Sequence, residues 1–145
     1  MEENKAPQKM SKVKQHIILS IMTVILTGVL ILVGYNIYYH ATADPEGFAV
    51  KLNEICDHFR INYISYENEI YRFSVDDDIW NSNGKMQKTA YCRHIHEALK
   101  TALDMYHIQK ESDSLLIRLY GNVPDGNFGF GCVAMVGEVT TDIYY

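Results

Sequence analysis

No charged residue occurs between Ile17 and Tyr39, a run of 23 residues. Such a gap is foreign to a soluble domain. Cysteine is scarce: Cys56, Cys92 and Cys132 are the only three. An odd, widely spaced set excludes a disulfide-scaffold protein and the C-x₂₋₄-C spacing of a zinc ribbon. Proline is equally sparse, with three in 145 residues, so no Pro-rich linker divides the chain. Basic residues are in deficit as well. Four Lys and two Glu precede residue 40, which leaves 9 basic against 16 acidic residues in 40–145, a net charge of −7. That balance excludes the basic footprint of a nucleic-acid-binding domain. Neither G-x-S-x-G nor H-E-x-x-H is present, so no hydrolase or zincin motif announces an enzyme. Disorder is excluded by what is abundant: 48% apolar residues, with 11 Tyr and 5 Phe.

The uncharged run, IILSIMTVILTGVLILVGYNIYY, is long enough as a helix to cross a hydrocarbon core of about 30 Å. Tyr35, Tyr38 and Tyr39 stand where an interfacial aromatic belt belongs, and Lys5, Lys9, Lys12 and Lys14 precede the run. We therefore expect a basic cytoplasmic tail (1–16), one transmembrane helix (17–39) and an extracytoplasmic domain (40–145), with the chain held in the cell membrane. Ala41-Thr42-Ala43 followed by Asp44 offers a competing reading, a signal peptide cleaved after Ala43 to release a secreted protein. The apolar run exceeds the roughly 7–15 residues of a signal core, and Tyr38-Tyr39-His40 is bulky just ahead of the site. Within the run, Ser20, Thr23, Thr27 and Gly34 share one helical face, a surface through which two copies could pair as a homodimer.

Beyond the run, Asp44-Pro45-Glu46 reads as a helix start, and Phe48, Leu52, Ile55, Cys56 and Phe59 form one apolar face. Ile61–Tyr66 and Ile70–Val75 predict a hairpin, followed by a polar loop around Trp80. A helix over Met86–His107 follows, then strands over Leu115–Gly121 and Phe128–Gly137 joined at Pro124-Asp125-Gly126, and a short strand within Val139–Tyr144. The order α-β-β-α-β-β, with no βαβ signature, predicts an α+β fold: two helices packed on one face of an antiparallel sheet. Tyr71, Phe73, Val75, Ile117, Leu119, Cys132, Ala134 and Val136 would face those helices.

Candidate sites are few. One disulfide among Cys56, Cys92 and Cys132 is compatible with an exported domain. Cys56-Asp57-His58 and Cys92-Arg93-His94 look like metal-ligand pairs, but residues two apart on a helix point about 200° from each other, so we expect no metal. His94 and Glu97 share a helix face as surface groups do. Asp76–Asp78 with Asn81, Asn83 and Gly84 fails the EF-hand pattern at its first and twelfth positions. The sheet face away from the helices is richer. Alternation would place Arg72, Ser74, Arg118, Tyr120, Gly129, Gly131, Val133 and Met135 there. Arg72, Arg118, Tyr120, Gly129 and Gly131 are the candidate binding face, a positive patch in an acidic field suited to an acidic partner segment. A hydrophobic N-terminal helix carrying an α/β head is similar to the architecture of pilins. Their processing site, a Gly before a hydrophobic residue with Glu at mature position five, has no counterpart where Lys14-Gln15-His16 enters the run. The expectation is a single-pass anchored binding or accessory module for a protein partner, with no catalytic constellation and no cofactor; a secreted protein cleaved after Ala43, or a small pilin-like or enzymatic exported domain, is the alternative.

Overall fold

The computed structural model describes residues 12–110, 112–122 and 130–144. The chain divides into two units, Met1–Ala41 and Thr42–Tyr145. The described part of the first unit is a single helix, α1 (Lys12–Ala41). At about 1.5 Å per residue it rises ~45 Å, and it is long and apolar enough to cross a membrane. Residues 12–38 are all exposed, and their apolar side chains point in every direction, as lipid rather than a one-sided core requires.

The second unit is an α+β domain. Its first helix, α2 (Pro45–Phe59), starts where Asp44 Oδ1 accepts the Gly47 N–H at 2.9 Å, with Pro45 in the first turn. Arg60 closes α2 in the left-handed conformation, at φ 52°. The chain then forms β1 (Ile61–Glu67) and β2 (Ile70–Val75), joined by Asn68 and Glu69 at φ 52° and 62°. Two successive positive φ values make the twisted two-residue turn that suits a hairpin.

After β2 the structure departs from expectation. The polar loop around Trp80 contains a short helix, α3 (Asp77–Ser82), which buries Trp80 under the Lys88 ammonium, 4.8 Å from the ring centroid. A long helix, α4 (Lys85–Met105), then carries the chain back along the sheet. The next strand, β3 (Leu116–Asn122), consequently starts at the same end as β2 and pairs with it in parallel. The sheet is therefore mixed and not antiparallel as expected, and β2–α4–β3 is a βαβ unit. β4 (Phe130–Val136) and β5 (Thr141–Ile143) add antiparallel partners, giving the order β1-β2-β3-β4-β5. The turn expected at Pro124-Asp125-Gly126 lies outside the described residues.

One layer of helix covers one face of this sheet. Phe48, Leu52, Ile55 and Cys56 of α2 and Cys92, Ile95, Leu99 and Leu103 of α4 meet Phe73, Ile117, Leu119, Ala134 and Val136 from the strands. The apolar stripes expected for both helices are the surfaces that are buried. Polar groups fasten the corners: the Tyr91 hydroxyl donates to the Phe59 carbonyl at 2.6 Å, and His96 Nε2 to the Leu115 carbonyl at 3.1 Å.

Candidate binding face

Alternation along a strand sends every second side chain away from the helices. In β2 these are Arg72 and Ser74, flanked by the buried Tyr71, Phe73 and Val75; in β3 they are Arg118 and Tyr120, flanked by Ile117 and Leu119. Parallel register then sets Arg72 beside Arg118 and Ser74 beside Tyr120. The structure thus brings together three of the five residues expected on this face, Arg72, Arg118 and Tyr120. Gly129 lies outside the described residues.

Gly131 requires a correction. Between the pairs Leu119–Ala134 and Tyr120–Cys132 the register slips by one, so β4 carries an extra residue, Val133. This β-bulge inverts everything before it on β4. Gly131 pairs with Gly121 on the helix-covered side, and Val133 is buried rather than open. A Cβ placed on Gly121 would stand 3.1 Å from Val133 Cγ1 and 3.7 Å from Asp77 Oδ1, so glycine here is the notch that receives the bulged valine. Cys132, expected in the core, moves to the open face beside Tyr120, where it is half-buried. Burial pushes its thiol up, while the Arg118 charge and a backbone hydrogen bond at Ala134 pull it back. Cys132 to Val136 is apolar throughout, so no break in a polar–apolar alternation marks this bulge in the sequence.

The two arginines differ in their partners. Arg72 forms an ion pair with Glu67 across the hairpin, and Tyr120 adds a weaker contact. Arg118 makes no hydrogen bond or ion pair among the described residues, and its Nε is shielded from solvent without an acceptor. Arg60 is held by Asp76 and Asp78 at 2.9 and 3.2 Å, and Arg93 reaches Thr141 at 3.4 Å. Asp142 faces the open side opposite Met135, two strands from Arg118, and no ion pair joins the two. Met135 completes the patch, with the Tyr144 hydroxyl 3.6 Å from its sulfur.

All three cysteines are free thiols. Cys56 and Cys92 belong to the helix layer and Cys132 to the far side of the sheet, so a bridge from Cys132 to either would have to pass through the strands. Among the described residues no three His, Cys, Asp or Glu side chains come close enough to hold a metal. The acids Asp76 and Asp78 serve Arg60. His58, His94 and Glu97 border an open groove of about 670 Å³ between α2 and α4, over an apolar floor of Ile55, Phe59 and Ala98. On α1, Thr23 and Thr27 turn their hydroxyls back to the Leu19 and Thr23 carbonyls at 2.9 Å, leaving methyl groups outward beside Ser20, and a Cβ on Gly34 would meet nothing within 4 Å.

Comparison with protein-family models, with curated proteins and with solved structures finds no match for this chain.

Proposed function

We propose that this protein is a single-pass, membrane-anchored module whose extracytoplasmic domain binds a protein partner through the open face of its sheet. The observation that carries the reading is the in-register pair Arg72–Arg118 on parallel strands, with Tyr120 alongside, on a face no described helix of the domain covers. Like charges side by side cost stability, so their placement suits a surface made for a ligand rather than for folding. Arg and Tyr are the residues that anchor protein interfaces most often. The anchor is α1, with the lysines before it on the cytoplasmic side.

Retention is favoured over release by the geometry at residues 41–44. A peptidase binds its substrate as an extended strand. Ala41 instead closes α1, the Asp44 N–H donates to the Tyr106 carbonyl at 2.9 Å, and the Thr42 hydroxyl lies 2.7 Å from His107 Nδ1.

The test uses the full chain in its native membrane. The chain is expected to resist alkaline extraction, to keep its original N-terminus, and to lose its co-purifying partners in the folded Arg72→Glu/Arg118→Glu variant. A mature protein beginning at Asp44, or a double variant with unchanged partners, would overturn the anchor or the face respectively.

A further inference from the structure

We propose that Arg118 is the socket for a carboxylate, an Asp or Glu side chain on an extended segment of the partner protein. This rests on the reading that the open face is the binding surface, and it assigns the two arginines different tasks.

Arg72 displays the contact within the chain: its guanidinium holds Glu67 from the neighbouring strand. Arg118 occupies the equivalent position one strand over, in the same register, and no acid among the described residues pairs with it. A planar guanidinium whose Nε finds no acceptor among the described residues matches a carboxylate in geometry and charge. Its Nε is buried with no acceptor among the described residues, and an unpaired buried donor is costly, so an acid that draws the side chain into a paired arrangement relieves that cost. The surroundings favour a protein segment over an anionic lipid surface. Tyr120, Met135 and Cys132 offer aromatic and sulfur contacts to side chains.

The experiment follows the Arg118 Nε–H signal by nuclear magnetic resonance in the full chain, solubilised in detergent. The probes are a blocked pentapeptide with glutamate at its second and fourth positions, the same peptide with glutamine, and inorganic phosphate. The glutamate peptide is expected to shift the Arg118 signal saturably, at least tenfold more tightly than either control. Arg118→Gln should weaken that binding at least tenfold, Arg72→Gln should leave it within about twofold, and Glu67→Gln, by freeing Arg72, should tighten it. Backbone spectra establish that each variant is folded. Equal binding of the glutamine peptide means a contact without carboxylate recognition, and equal binding of phosphate means a general anion site; either overturns the proposal. No binding of any probe, while Arg72→Glu/Arg118→Glu still abolishes partner recovery, overturns the carboxylate assignment and leaves the open-face reading standing.

Discussion

Arg72 and Arg118 lie side by side in register on two parallel strands, and among the described residues only Arg72 has an acid to neutralise it. Neither residue's neighbours in sequence reveal this. It follows from α4 carrying the chain back so that β3 runs alongside β2 in the same direction.

The first prediction concerns the energetic side of that pairing. Arg118→Met keeps an unbranched apolar stem but removes a charge beside Arg72 and an unpaired donor. The variant is expected to be as stable as the parent or more stable by up to about 1 kcal/mol in thermal or urea unfolding. A loss greater than that would mean Arg118 is a folding element and not a ligand group.

How far the chain could be read in advance depends on whether a feature is local. The α2 start at Asp44-Pro45, the stripe Phe48–Leu52–Ile55 and the hairpin at Asn68-Glu69 are written within a few residues, and all are present. Strand direction is not local: Leu116–Asn122 alternates identically whether it runs parallel or antiparallel to β2. The alternation through Cys132, Ala134 and Val136 conceals the inserted Val133, so Cys132 was placed in the core and Gly131 on the open face, each on the wrong side. The face itself was legible through Arg72, Arg118 and Tyr120. That Glu67 answers one arginine and leaves the other depends on side-chain geometry across three strands.

The bulge makes a second prediction. Gly121→Ala brings a methyl within 3.1 Å of Val133 Cγ1, tighter than ordinary contact. It should cost about 1–3 kcal/mol through overpacking. Combining it with Val133→Ala should recover part of that loss, because the two side chains compete for one space. Additive losses in urea unfolding would show that Gly121 is not the seat of the bulge.

Thiol chemistry gives a third. Burial pushes the Cys92 thiol up to about 12, and Cys56 is also raised by burial. Cys132 is half-buried, and Arg118 stabilises its thiolate. With a thiol-specific reagent at pH 8, Cys132 should react first, Cys56 slowly, and Cys92 only on unfolding. Arg118→Met should slow the Cys132 reaction. Mass mapping that finds Cys92 labelled first in the folded chain would contradict the assigned faces.

The fourth concerns acid. Burial works to raise the Glu138 carboxyl, but the Leu115 N–H at 2.6 Å and Lys100 at 3.3 Å outweigh it and hold it below the usual carboxylate range. A carboxyl depressed in the folded state binds its proton more readily when unfolded. Its contribution is therefore complete above the usual carboxylate pKa and is lost as pH falls through its lower folded value. Glu138→Gln should lower stability at neutral pH and flatten the decline between about pH 5 and pH 3, measured by urea midpoints. An unchanged slope would mean that other carboxylates carry the acid limb.

The central claim is that the open face, not the helix layer, meets the partner. Photocrosslinking in intact cells tests it most directly, with p-benzoylphenylalanine placed either at Met135 on the open face or at Glu97 on the exposed side of α4. The account predicts one adduct of defined mass from position 135, absent when Arg118→Glu is added, and none from position 97. Equal adducts from both positions, or a position-135 adduct that survives Arg118→Glu, would contradict it.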